Sequence, residues 1–381
     1  MFKPVALLTL FLATNSIKIN DTIYLGHISI ILFMGILLIQ YQKKRFIQIA
    51  PLLTALAFQI VILSKTLLDL DLVKYDRPIQ YILLLNSILL FAIYMQRVNG
   101  KNEILMAVLL TAIINILFLT FGSAFWVIEN GLVFSNGTDF FRLTGIFSSP
   151  IESAVFLVLG LIVVIEHVTN KKLKVLLLVI FSVLILLSFS RAAYVGALMV
   201  ITLGIFKIFK SKNTFLKIVK IFTIVLSIYL IFQIEAFNIR LLDLANINFN
   251  IKRVMVWNHV INTWMNSGHE LWIGFPLGSY LFFHPIDQAN YNNTHNSYLD
   301  LLYYFGMIGL TVLCVLFALV LIRIKVLRRH FPNELSLYVS FFLVLAAINM
   351  VDTVYLGITL YLLHGFFIAD TLHKRGIVNN G

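Results

Sequence analysis

Charge is scarce in this chain. Only 12% of its 381 residues are Asp, Glu, Lys or Arg, while 60% are hydrophobic and mean hydropathy is +0.94. No soluble domain is built that way, and the composition implies a multi-span membrane protein. Cysteine is nearly absent. The single Cys314 lies in an apolar run and excludes an intrachain disulfide and a multi-cysteine metal site. There is no P-loop, no G-x-G-x-x-G and no H-x-x-x-H, so neither a phosphate-cradling nucleotide fold nor a two-histidine metal helix is signalled. No repeat and no linker divides the chain, and short polar clusters break the apolar runs throughout. A single membrane domain over 1–381 is expected, with no separate soluble unit. The net charge of +12 is unevenly placed, which argues for topology and not for nucleic acid.

The apolar runs predict an all-α polytopic fold of about twelve spans: 5–17, 22–40, 47–64, 79–95, 104–122, 153–169, 175–190, 192–209, 215–234, 298–322, 335–351 and 353–370. Several are shorter than the ~20 residues of a full crossing. The run 5–17 reads as a first span and not as a signal peptide, because a second apolar run follows at once and no A-x-A site is present. The run 175–206 would be ~48 Å long as one helix, too long for a ~30 Å hydrocarbon core. It is therefore split at Arg191, and the run 335–370 is split at Asp352.

With this layout 20 of the 29 basic residues fall on one side, which makes both termini cytoplasmic. Residues 123–152 and the large segment 235–297 then face outward, and 323–334 faces inward. The cytoplasmic loops are too short to build a nucleotide-sugar site. The outer face keeps Lys18, Lys65, Lys74, Arg77, Arg142, Arg191, Arg240, Lys252 and Arg253. Arginine offers a planar fork of donors that suits phosphate and does not lose its charge. Several on an outer face suggest a site for a lipid phosphate or diphosphate.

Four stretches carry chemistry. The first is His295-Asn296, nine residues, Gly306, two residues, Gly309. Ser297 and Asp300 read as a capping box, with the serine as N-cap, so His295 stands two residues before a helix. A neutral imidazole there can accept a proton, as a general base must. The two glycines let a neighbouring helix or a lipid chain approach the backbone. The bland alternative is an interfacial histidine above a helix-packing pair. The second stretch runs Ser188–Gly196 through Arg191, where the alternative is an interface anchor. The third is Arg142-Leu143-Thr144-Gly145-Ile146-Phe147-Ser148-Ser149-Pro150, which alone reads like any turn before a helix. The fourth is Arg253 with Trp257 one helical turn on and Gly274 beyond. Trp257 reads as a packing or interface residue before a sugar platform. His27 and His364 read as core residues and Asp352 as a turn. Asp300 reads as a cap, and Asp69, Asp71 and Asp76 as a solvated face.

Together these stretches resemble the O-antigen ligase and O-antigen polymerase superfamily of bacteria. The hallmark His-(Asn/Ser/Gln)-x9-Gly-x-x-Gly is met by His295, Asn296, Gly306 and Gly309. Ser190, Arg191 and Gly196 fit Ser-Arg-x-x-x-x-Gly, and Arg142, Gly145, Phe147 and Pro150 fit Arg-x-x-Gly-x-Phe-x-x-Pro. The Asn that often follows that proline is Ile151 here. Arg253 matches the arginine of the large outer loop best, with Arg240 the weaker candidate. The motifs span 140–310. The resemblance implies a GT-C-like glycosyltransferase of the bacterial inner membrane with a periplasmic active site and neither metal nor cofactor. Its donor would be an undecaprenyl-diphosphate-linked glycan and its surroundings membrane lipids. The acceptor would be lipid A core for a ligase, or a second lipid-linked glycan for a polymerase. His295 would be the base, Arg191 and Arg253 catalytic at the diphosphate, and Arg142 and Arg240 further diphosphate-binding candidates. A transporter or flippase would also have twelve spans, but usually binds near the midplane and not at an outer mouth.

Overall fold

The computed structural model describes residues 60, 100–118, 126–129, 140–143, 150–209, 247–277, 279–284, 289–291, 294–330 and 332–351. Helix α1 (Gly100–Phe118) precedes an antiparallel ribbon of β1 (Trp126–Glu129) and β2 (Phe140–Leu143), in which Val127 pairs with Arg142. Helices α2 (Pro150–His167), α3 (Lys171–Leu187) and α4 (Arg191–Phe209) follow. Helix α5 (Ile247–Met265) and the single turn α6 (Glu270–Ile273) lead to a second ribbon, β3 (Phe282–His284) with β4 (Ala289–Tyr291). The long α7 (Ser297–His330) and α8 (Pro332–Val351) complete the described part. The described residues are mainly helical. The two ribbons are a local departure from the all-helical expectation. They form in the two segments expected to face outward, where short aromatic and β-branched runs such as Trp126-Val127-Ile128 and Phe282-Phe283 favour pairing.

Five helices share one apolar core. Val108 and Ala112 of α1, Phe156 and Val163 of α2, Phe181 of α3, Ala193 of α4 and Phe341 and Ile348 of α8 are all buried in it. Small residues allow the close approach: a Cβ at Gly160 would lie 2.9 Å from Ala112 Cβ, and one at Gly196 2.9 Å from Ile348 Cδ1. Polar groups inside are paired, as where Asn115 Nδ2 donates to Ser153 Oγ at 2.9 Å. A second cluster joins α5, the segment around Leu277 and Tyr280, and the start of α7 through Tyr303, Tyr304 and Phe305.

Six of the expected spans coincide with α1, α2, α3, α4, α7 and α8; the others lie outside the described residues, Ile60 apart. The expected split of 175–206 is present. Helix α3 ends at Leu187 and α4 begins at Arg191. The expected inner loop 323–334 is instead largely helix, because α7 runs through Arg323–Arg329 to His330 and Pro332 opens α8. Nothing between Ile322 and His330 breaks a helix, and proline suits a first helical position. Among the described residues no helix is long and apolar enough to cross a membrane, so the count of about twelve spans is not carried by these helices. Their surface is nonetheless apolar. Val175, Leu176, Val179 and Val183 on α3, and Val315, Leu321 and Ile322 on α7, are all exposed.

Candidate functional site at the mouth of α7

The helix that carries the hallmark begins at Ser297, but Ser297 is not its cap. Asn296 Oδ1 accepts hydrogen bonds from the backbone N–H of Tyr298 at 3.0 Å and of Leu299 at 3.2 Å. That is the N-cap pattern, so the cap expected at Ser297 stands one residue earlier, and Asp300 does not close a capping box with it. Asparagine caps as well as serine and already stands one position earlier. Ser297 is freed for another task, and its Oγ donates to Asn349 Oδ1 of α8 at 2.8 Å. One residue on, Tyr298 Oη donates to the Ala346 carbonyl at 3.0 Å. The mouth of α7 is thereby fastened to the last turns of α8. Asp300 is fully buried, and its Oδ1 accepts from the Thr294 N–H at 3.1 Å.

His295 stands between Thr294 and the cap. Its backbone is left-handed, with φ 51°, and its side chain is half-buried. Thr294 is fixed on every side. Its Oγ1 donates to the Asn296 carbonyl at 2.7 Å and accepts from the Asn296 N–H at 3.1 Å. Its carbonyl accepts from Trp257 Nε1 at 2.9 Å. Trp257 belongs to α5, and Arg253 lies one turn before it on the same helix, half-buried. The structure therefore brings the helix of Arg253 onto the turn of His295, and the link is a tryptophan whose expected role was packing.

Arg191 is the first residue of α4. The turn before it is built from the serines of its motif. Ser188 Oγ donates to the Ile185 carbonyl at 2.6 Å and accepts from the Ser190 N–H at 3.3 Å. Ser190 Oγ accepts from Ala193 N at 3.4 Å, the cap of α4. Gly196 then meets Ile348, the neighbour of the Asn349 that holds Ser297. The starts of α4 and α7 thus meet α8 at adjacent residues. Arg142 sits on β2, which lies against α2 and α3, and Pro150 is the first residue of α2. Arg240 lies outside the described residues, as do Gly145 and Phe147.

The hallmark glycines do more than admit a neighbour. At Gly306 the helix breaks, with φ 55° and ψ −151°. A Cβ there would fall 2.6 Å from the carbonyl carbon of Trp272 in α6. Across the contact Gly274, with φ 76°, leaves room for Tyr304, whose carbonyl carbon a Cβ would meet at 2.2 Å. The break releases a helix carbonyl, and the Phe275 N–H donates to Tyr303 O at 2.8 Å. At Gly309 a Cβ would strike Phe305 Cβ at 2.3 Å. Beneath the mouth lies an aromatic cluster in which Phe275 stacks on Tyr303 and Tyr280 meets Tyr303 edge-on. Burial pushes the Tyr280 hydroxyl above its ordinary range, and the charge of Asp300 and the hydroxyl of Tyr303 add to it. Burial lowers the pKa of His259, which packs on Phe282.

Residues 176–314 match the family model described as O-antigen ligase. Over this stretch the chain is similar to the O-antigen ligase family. The match takes in Arg191, Arg253, His295, Gly306 and Gly309 and stops short of Arg142. No curated protein matches the chain. Among the described residues, left-handed backbone occurs at Phe189, Gly274, His295 and Gly306, every one inside the O-antigen ligase region. Such conformations persist only where the surroundings enforce them, and they gather at functional sites. The motifs showed which residues these stretches contain. The capping asparagine, the Trp257–Thr294 link and Asn349 were missed, because none has a spacing signal along the chain.

Proposed function

We propose that the protein transfers a glycan from undecaprenyl diphosphate to an acceptor hydroxyl at the outer face of the bacterial inner membrane. The acceptor in this reading is lipid A core, so the reaction is O-antigen ligation. The observation that carries it is the hydrogen bond from Trp257 to Thr294, which joins an arginine helix to the turn of the motif histidine. In the reaction the bond from the anomeric carbon to the diphosphate oxygen breaks as the acceptor oxygen bonds to that carbon. His295 takes the acceptor proton. The leaving diphosphate gains charge, and fixed arginines at 191 and 253 stabilise that charge more in the transition state than in the ground state. Attack opposite the leaving group inverts the anomeric carbon. Arg142 and Arg240 are assigned to the flanks of the same diphosphate.

The start of α4 supports the role of Arg191. A helix N-terminus repels a cation and attracts an anion, so an arginine at its first residue suits a site that an anion completes. Membrane embedding is supported by the hydrophobic composition and by the exposed apolar side chains of α3 and α7. The test is the lipopolysaccharide ladder of a deletion strain. Loss of all O-antigen from the core, with lipid-linked polymer accumulating, is the expected result. Core carrying a single repeat unit would instead make the protein a polymerase, and an unchanged ladder would end both readings.

A further inference from the structure

A left-handed histidine does not hold itself. Its φ of 51° lies in a region that side-chain-bearing residues visit only when neighbours enforce it. The neighbour that enforces it is Thr294, which is fully buried. Side chains of two different helices take both of its backbone polar groups: Asp300 of α7 accepts from its N–H, and Trp257 of α5 donates to its carbonyl. A first-turn acid ordinarily faces water, whereas Asp300 is fully buried, where a carboxylate is costly without hydrogen bonds. We propose that Asp300 and Trp257 are the positioning residues of His295, acting through Thr294 to aim the imidazole at the acceptor hydroxyl. Because Arg253 stands one turn from Trp257, the same clamp sets the distance between the base and the arginine's helix. This rests on the reading of His295 as the base.

The clamp explains two features of the local sequence. Asparagine at 296 caps α7 in place of Ser297, so the helix starts where Asp300 can reach back to Thr294. Threonine at 294 uses its hydroxyl on both polar groups of Asn296, which closes the turn around the histidine.

The experiment uses the full chain, purified with a lipid-linked glycan donor and an acceptor, and scored for turnover, donor binding and thermal midpoint. Trp257→Phe removes the indole N–H together with the five-membered half of the ring and keeps an aromatic side chain against the second cluster. It should lower kcat by ~10–100-fold, the cost of a misaimed group, with the donor KM within about twofold. Asp300→Ala should behave alike, and Asp300→Asn, which keeps an oxygen for the Thr294 N–H, should recover most of the loss. In a His295→Ala background Trp257→Phe should cost less than about threefold more, since nothing is left to aim. Trp257→Phe turnover within about twofold of the native protein would overturn the proposal, as would an undiminished loss in the His295→Ala background. Should Asp300→Ala fail to fold, the two Trp257→Phe measurements decide it alone. Native-like turnover in His295→Ala itself would be a different failure, that of the base.

Discussion

At His295 two questions separate cleanly, what the ring does and what the backbone does. Alanine removes the imidazole and can be carried by the same clamped turn. Loss of a general base typically slows transfer by ~10²–10⁴-fold, and donor binding, which the proposal assigns to arginines, should largely remain. His284, at the end of β3, is the control and should tolerate alanine. Turnover within a factor of a few in His295→Ala would make the histidine structural. Arg191→Ala should slow transfer ~10–100-fold, from loss of a charge-assisted hydrogen bond of ~1.5–3 kcal/mol. Arg191→Lys should stay clearly impaired, because the ammonium lacks the fork. A third residue answers to pH. The pKa of folded His259 lies below the ordinary 6.5 because burial disfavours the cation. Below pH 6.5 the unfolded chain therefore binds the proton more readily, and stability falls with pH until the folded value is passed. The thermal midpoint should drop between pH 7 and 5.5, and His259→Gln should flatten that part of the slope. At this scale the sequence already displayed the side chains to which the reaction is assigned in the proposal. It did not display their holders, because a hydrogen bond from Trp257 to Thr294 depends on how two helices meet.

Elements were legible where apolar runs met breakers. The division of 175–206 was read from length, since no single helix of that size fits a bilayer core, and placed by Arg191, the one charge in the run. The start of α7 was legible to within one residue. Its break was not, because a lone glycine within an apolar run also fits a continuous helix with a close neighbour. What decides for a break is the backbone of α6 seated opposite, a contact between residues 34 positions apart at Trp272 and Gly306. Gly306→Ala and Gly274→Ala should each destabilise by ~2 kcal/mol or more, because the new methyl strikes backbone and the φ is positive. Gly268→Ala, whose added methyl would meet nothing within 4 Å, should stay within ~0.5 kcal/mol. Equal midpoints for all three would mean that α6 is not seated on α7.

For the whole chain the uneven spread of basic residues is the signal that reads topology. On that signal 235–297 is expected outside and both termini inside, and the resemblance implies a periplasmic site. In a cysteine-free background, Asp287→Cys should react with an impermeant thiol reagent on intact cells. Reaction only after the membrane is opened would reverse the layout. How about twelve spans pack together was not legible, since apolar runs state length and not neighbours. The Phe275 N–H closes the gap that Gly306 opens in α7, so neither partner is complete without the other. The outer segment and residues 297–309 therefore form one unit of exchange. A chimera that imports a relative's outer segment with its junction at 296 should lose activity, and one with its junction beyond Gly309 should keep it. Diversification of such proteins would then proceed by inheriting both pieces together.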